Sequence, residues 1–199
     1  MDAAILYFNN ETPHPTLLST FFKLMLFQTS KVATQRLSGL RYHINPRFRT
    51  MATLNTQLPL NTGAKIPALG FGTWQDADEQ EDAVYEALKA GYRHIDTARI
   101  YGTEPAVAKG IKKSGVPRSE IFITTKLWNN SHEPEEVEKA IDASLKDLET
   151  DYLDLYLMHW PVAFKPGGAL MPKDSSGKMQ NSDVDYVTVS TCLHRKTRT

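Results

Sequence analysis

His94-Ile95-Asp96-Thr97-Ala98 is an apolar run that holds a carboxylate, and two comparable runs follow it along the chain. The second occupies 121–126 and ends at Lys126, and the third occupies 153–159 and ends at His159. The intervals between the runs have the periodicity of amphipathic helices. Because strands that alternate with helices at this spacing form parallel sheets, the expected fold class is α/β.

The carboxyl ends of these predicted strands bring four chemically active side chains together. Asp96, Lys126 and His159 lie at strand ends, and Tyr101 lies in the loop that follows the first strand. In a β/α barrel such ends converge on one face, where the chemistry takes place. We therefore expect a proton-transfer site on this face.

General acid catalysis on a carbonyl oxygen is the chemistry that this combination favours. An ordinary phenol has a pKa of about 10 and donates a proton poorly at neutral pH, but a nearby ammonium lowers that pKa. We expect Lys126 to lower the pKa of Tyr101 and to pair with Asp96, because a buried lysine needs a partner. His159 is expected to hydrogen-bond the group that accepts the proton.

Each of these residues also has a purely structural explanation. Taken singly, Lys126 with Asp96 is more often a structural ion pair, His159 is more often a core histidine, and Tyr101 is more often a loop aromatic. The occurrence of all four on one predicted face favours the functional interpretation.

The three tryptophans of the chain also fall at predicted strand ends. Trp74 closes the strand expected at 68–74, Trp128 follows Lys126 by two residues, and Trp160 directly follows His159. Placed there, they are expected to line an apolar pocket above the catalytic groups. The alternative is that they only fill the core.

Turn and capping signals divide the rest of the chain. The segments expected are a β-hairpin at 56–67, a strand at 68–74, a helix opened by a capping box of Asp78 and Glu81 and stopped by Gly91, a helix from Glu104 to Gly115, a helix from Ser131 with Pro134 in its first turn, a long loop at 161–182 and the start of a further helix at 183–189.

Composition and motifs exclude several classes of function. The chain has 199 residues and a formal net charge of zero, so no overall field favours nucleic acid or a membrane. Its single cysteine, Cys192, excludes an intramolecular disulfide and fits a reducing compartment. No P-loop is present, no cysteine or histidine cluster would bind a metal, and Gly70-Phe71-Gly72 lacks the third glycine of a dinucleotide fingerprint.

Residues 1–50 differ from the rest in composition. They contain six lysines and arginines but only two acidic residues, and no clear period. Three origins stay open: a disordered or mis-assigned leader before Met51, a mitochondrial presequence, or a structured segment. The expected location is cytoplasmic, with the mitochondrion as the alternative if the leader is a true presequence.

Several segments resemble the aldo-keto reductase family. Gly91-Tyr92-Arg93-His94-Ile95-Asp96-Thr97-Ala98, followed by Tyr101-Gly102 and Glu104, resembles the first signature of that family. Further segments resemble its other motifs: Gly72-Thr73-Trp74, Thr125-Lys126-Leu127-Trp128 and Leu155-Tyr156-Leu157-Met158-His159-Trp160-Pro161. The residues of these motifs are similar to those of fungal family members that reduce aldehydes or glyceraldehyde-like substrates with NADPH.

The resemblance implies an eight-stranded β/α barrel, the TIM-barrel fold, closed at its bottom by an N-terminal hairpin, and a monomer for the full-length member. It implies that Tyr101 donates the proton, that Lys126 and Asp96 tune the acidity of Tyr101, and that His159 orients the carbonyl. The residues implied to border the nicotinamide of NADPH are Gly72, Thr73, Trp74 and Asp96. Those implied to shape the pocket for the carbonyl substrate are Trp74, Trp128, His159 and Trp160.

The chain departs from the family pattern in two ways. Ala108 stands where the signature has glycine, and the resemblance ends near 187–188, before the family's later motifs. We therefore expect 51–187 to form about the first four βα units of a barrel, with 188–199 as an unpatterned tail. Such a truncated chain is expected to associate and to be impaired as a reductase. The alternative is an inactive half barrel that acts only through self-association or partner binding.

Overall fold

A computed structural model of the chain describes residues 52–196. The expectations for the leader at 1–50 and for 197–199 lie outside these described residues. The elements in chain order are β1 (Gln57–Pro59), β2 (Lys65–Pro67), β3 (Phe71–Gly72), α1 (Gln80–Lys89), β4 (His94–Asp96), α2 (Glu104–Ser114), β5 (Phe122–Leu127), α3 (Pro134–Asp147), β6 (Leu155–Met158) and α4 (Tyr186–Lys196).

The main sheet has four parallel strands in the order β3-β4-β5-β6, and β1 and β2 form a separate antiparallel hairpin. Both the parallel sheet and the hairpin were expected from the sequence. The predicted strand at 68–74 is much shorter than expected, because only Phe71 and Gly72 pair with β4. Just past the predicted strand, Gln75 and Asp76 adopt positive φ values of 78° and 48°, so extended backbone does not continue beyond Trp74.

Alternation along the strands separates two faces of the sheet. Ile95, Ile123 and Leu127 belong to the large core that the helices cover. Phe122 and Leu155 belong to a small cluster on the opposite face, which includes Ile66 of the hairpin, so they lie away from the helices. Because side chains alternate with a period of two, every second residue of a strand points away from the helices.

This period fixes the position of the candidate site. Asp96 follows Ile95 by one residue, so it belongs to the face that is not covered by helices. Lys126 shares that face with Phe122, four residues earlier on β5, and His159 continues the register of Leu155 just beyond β6. The three strands therefore deliver these side chains to one face at their carboxyl ends.

Two expectations about helix ends were wrong. The capping box of Asp78 and Glu81 does not form: α1 begins one residue later, with Glu79 at the N-cap and no side-chain cap bond. The described part of the predicted tail, 188–196, is not unpatterned, because α4 runs through it to Lys196. Val189 and Leu193, four residues apart, are both buried against the core, and the backbone N–H of Thr188 donates to the Asp185 carboxylate at the start of the helix.

Arg118 joins the amino ends of β5 and β6. Its guanidinium lies 3.9 Å from the Tyr152 ring centroid and 2.8 Å from Asp154 Oδ2, and it donates to the carbonyls of Ile121 and Tyr152. Asp154 in turn accepts the backbone N–H of Ile123, on β5. Arg118 therefore holds two neighbouring strands in register.

Replacing Arg118 with alanine is expected to lower the free energy of unfolding by about 2 kcal/mol, because it leaves a largely buried carboxylate without its cation. Urea denaturation followed by circular dichroism measures the change. Lys112→Ala is the matched control, since its ion pair with Glu149 is 3.9 Å long and both side chains are exposed. Equal stability of the two variants would contradict the role given to Arg118.

Candidate active site

An ion pair lies at the centre of the site. Lys126 Nζ is 2.5 Å from Asp96 Oδ1 and 2.9 Å from the carbonyl oxygen of Thr97. The same ammonium lies 5.4 Å from the centroid of the Tyr101 ring. The three residues come from β4, from β5 and from the connection after β4, as the strand-end pattern predicted.

Tyr101 is presented by a short 3₁₀ turn, Arg99–Tyr101, between β4 and α2. Its backbone N–H donates to Ala98 O at 3.0 Å. Gly102 then reverses the chain with φ of 68°, a left-handed conformation that glycine adopts without strain. The rings of Tyr101 and His159 pack in a T shape at a centroid distance of 5.6 Å, so all four predicted side chains are brought together.

The phenol does not have the lowered pKa that the sequence led us to expect. Burial raises the pKa of Tyr101, and the negative charge of Asp96 raises it further. Asp96 therefore offsets the effect expected from Lys126, because it lies directly against the ammonium. The phenol is fully protonated at neutral pH.

His159 is neutral at physiological pH. Burial lowers its pKa to about 4, the positive charge of Lys126 lowers it too, and Asp96 opposes both effects. Its Nδ1 atom is buried and has no hydrogen-bond partner within residues 52–196. A neutral imidazole has one donor and one acceptor nitrogen, so it can still bond to a bound molecule.

Aromatic side chains surround the imidazole. Trp128 lies 5.1 Å and Trp160 lies 6.1 Å from His159 between ring centroids, and the two indoles are 5.2 Å apart. Trp128 is buried and donates its indole N–H to Leu170 O at 2.6 Å, whereas Trp160 is half exposed. Trp74 is 66% exposed, so the third predicted pocket tryptophan forms no comparable buried wall.

Phe164 is a member of this aromatic group that the sequence reading missed. Its ring lies 5.9 Å from Trp128 and 6.5 Å from Trp160. A backbone hydrogen bond from Phe164 N–H to Asn129 O, 2.8 Å long, holds the long loop in place at this residue. The signal available in the sequence was an aromatic residue inside a loop rich in proline and glycine.

The residues expected to border a nicotinamide lie along the edge that β3 forms with β4. Gly72 pairs with Asp96 in register, and Thr73 N–H donates to Asp96 O at 3.0 Å. Thr73 is buried, and its hydroxyl lies 3.3 Å from that of Thr103. Gly72 is exposed, and a β-carbon added there would meet no atom within 4 Å, which leaves room for a flat ring beside Asp96.

Within residues 52–196, no group of three or more histidine, cysteine, aspartate or glutamate side chains is arranged to hold a metal ion. Among the helices of the same residues, none is both long and apolar enough to cross a membrane.

Comparison with known proteins identifies relatives along most of the described chain. The D/L-glyceraldehyde reductase of Hypocrea jecorina is 58% identical over 124 residues, which is 59% of this chain and 38% of that protein. Aldo-keto reductase family 1 member A1 of Xenopus tropicalis is 51% identical over 142 residues, which is 68% of this chain and 43% of that protein. The chain thus spans about two fifths of the length of these relatives.

The aldose reductase structure from Schistosoma japonicum matches with a TM-score of 0.70 and 39% identity, covering 72% of this chain and 49% of that one. The parallel α/β sheet described above agrees with this match. Residues 68–192 match the sequence pattern of the aldo/keto reductases, a range that includes all four candidate catalytic residues. The chain therefore belongs to the aldo/keto reductase family.

Proposed function

We propose that this chain carries the proton-transfer site of an NADPH-dependent reduction of an aldehyde or ketone to an alcohol. The observation that supports the proposal most directly is the packing of Tyr101, with the Lys126 ammonium over its ring and the neutral His159 ring packed against it in a T shape. Membership of the family supports carbonyl reduction in general.

NADPH would supply a hydride to the carbonyl carbon, and the residues of this chain would handle the proton that the oxygen then needs. Gly72, Thr73, Trp74 and Asp96 are the residues proposed to hold the nicotinamide end. The open space at Gly72 beside Asp96 fits a flat ring.

Tyr101 is proposed as the general acid. Its raised pKa keeps the hydroxyl protonated, so the proton is available whenever negative charge develops on the substrate oxygen. The phenolate left behind would be stabilised by the Lys126 ammonium. Asp96 holds that ammonium in place at 2.5 Å, which makes its role one of positioning and charge balance.

His159 is proposed to orient the substrate. A neutral imidazole can donate its N–H to the carbonyl oxygen without adding charge to the site. Trp128 and Trp160 would form an apolar wall beside it, with Trp74 at the open edge. This lining suits a small carbonyl compound such as glyceraldehyde, the substrate in the name of one relative.

The chain on its own is proposed to be a weak reductase built from about four βα units. The outer strands β3 and β6 each have one neighbour in the described sheet, Trp74 is largely exposed and Trp160 is half exposed. Unpaired strand edges favour association. This observation also supports the second candidate function, a half barrel that acts only through self-association or partner binding.

The location is proposed to be cytoplasmic, and the reductase unit is proposed to begin at Met51. Neither nucleic acid nor a membrane is a proposed partner, because the formal net charge of the chain is zero. The carbonyl substrate and NADPH are the proposed small-molecule partners.

Turnover measurements distinguish the two candidates. The 199-residue chain is expected to oxidise NADPH slowly with glyceraldehyde, and to form oligomers in analytical ultracentrifugation. A chimera in which the remainder of the Hypocrea jecorina reductase is joined to this chain is expected to turn over much faster and as a monomer. A folded chimera that binds NADPH, seen by tryptophan fluorescence, but does not reduce aldehydes would refute the reductase proposal and favour the second candidate.

A further inference from the structure

Arg99 opens the 3₁₀ turn that ends at Tyr101, and its guanidinium reaches out of the turn to two other elements. Arg99 Nη1 forms an ion pair with Asp147 Oδ2 on α3 and lies 3.6 Å from Glu104 Oε2 on α2. The turn itself contains only three residues, so its own backbone bonds hold it weakly. Arg99 therefore ties the loop to two helices of the scaffold.

Asp147 occupies a position that α3 alone would not favour. It is the last residue of the helix, where the backbone carbonyls give partial negative charge and an acidic side chain is unfavourable. Its carboxylate is compensated by Arg99 instead. An acid placed against the preference of its helix points to a function in holding Arg99.

Glu104 makes the second attachment. It is the first residue of α2 and is only 1% exposed, and its Oε1 accepts the hydroxyl proton of Thr125 at 2.7 Å. Its other oxygen has no hydrogen-bond partner within residues 52–196, so Arg99 is the cation that balances this buried carboxylate. Thr125 directly precedes Lys126 on β5, which connects the Arg99 attachment to the strand that carries the ion pair of the site.

We propose that Arg99 is a positioning residue that fixes the Tyr101 turn against Lys126 and His159 through Asp147 and Glu104. The proposal rests on the proposed function for the meaning of the Tyr101 position, but the attachment itself is independent of turnover. Without Arg99 the turn loses its connection to α3, and the phenol is free to leave the place where it meets His159. Positioning of this kind contributes to catalysis because the reacting groups must stay within a fraction of an ångström.

Hydrogen exchange of the full 199-residue chain, read residue by residue by mass spectrometry, tests the proposal. The reporters are two amides: Tyr101 N–H, bonded to Ala98 O, and Gly102 N–H, bonded to Arg99 O. In Arg99→Met and in Asp147→Asn these amides are expected to exchange about tenfold faster. The amides of β5 and α2 are expected to keep their rates, and the melting temperature to change little.

Two further variants separate positioning from general stability. Arg99→Lys keeps the charge and is expected to restore slow exchange at both reporter amides. Lys113→Met, which removes an exposed ion pair with Asp82 between α1 and α2, is expected to leave them unchanged. Asp147→Asn retains the cation beside Glu104. It therefore tests whether Arg99 positions the Tyr101 turn even if Arg99→Met fails to fold.

Unchanged exchange at Tyr101 and Gly102 in Asp147→Asn, or equally fast exchange throughout the chain, would overturn the positioning role of Arg99. Either result would leave the proposed function standing. Absence of turnover in the folded chimera would have the opposite meaning: it would refute the proposed function and would not alter the exchange result.

Discussion

Replacing Tyr101 with phenylalanine is expected to lower the rate of carbonyl reduction by about 10²–10⁴-fold, the usual contribution of a general acid. The ring that packs against His159 and Lys126 stays in place, so only the hydroxyl is removed. NADPH affinity is expected to change very little, because the cofactor is proposed to lie along Gly72, Thr73 and Asp96.

The experiment is best done in the chimera described above, where the wild-type rate is high enough to measure a large loss. Tyr85→Phe is the matched control, because its ring lies on α1 beside Lys113 and away from the site. Rates are compared across pH and NADPH binding is measured by tryptophan fluorescence. Near-full turnover by Tyr101→Phe would assign the proton to His159 or to water, and would remove Tyr101 from the mechanism.

The grouping on which this prediction depends could be predicted from the sequence because it depends on where the strands end. In a β/α barrel the carboxyl ends of the strands converge on one face. Asp96, Lys126 and His159 each lie at or near the end of a predicted strand, and Tyr101 follows the first of these strands, so the four side chains were expected on one face. The structure confirmed that grouping, together with the parallel order of the strands.

Properties that depend on contacts distant in sequence could not be read in this way. The pKa of Tyr101 is raised by burial and by the negative charge of Asp96, and both effects depend on depth and distance in the folded chain. The contact between Arg99 and Asp147 joins residues that are 48 positions apart, and no local sequence motif predicts it.

The structure also reveals the importance of His132, to which the sequence analysis gave no function. His132 lies in the connection between β5 and α3. It is 1% exposed, and neither ring nitrogen has a hydrogen-bond partner within residues 52–196. Burial lowers its pKa from 6.5 to about 4, so the folded chain holds it neutral at the pH of the cell.

Mild acid is therefore expected to destabilise the chain. An unfolded histidine binds a proton near pH 6.5, whereas His132 in the folded chain does not bind one until about pH 4. As the pH falls from 6.5 to 4, the unfolded state gains the proton first, so stability is lost over that range. The full loss from His132 is about 3 kcal/mol. His159 acts in the same direction, and protonation of buried Glu104 opposes it.

His132→Phe isolates this effect, because it keeps an aromatic ring and removes both unpartnered nitrogens. Its free energy of unfolding in urea is expected to match or exceed that of the wild type at pH 7.5, and to fall much less between pH 7.5 and 5.0. Tyr156→Phe is the control: it also removes a buried unpartnered polar atom, but burial raises the pKa of that phenol far above this range. It is therefore expected to keep the acid sensitivity of the wild type. A His132→Phe chain that loses as much stability as the wild type between the two pH values would show that the buried imidazole does not set the acid limit of the fold.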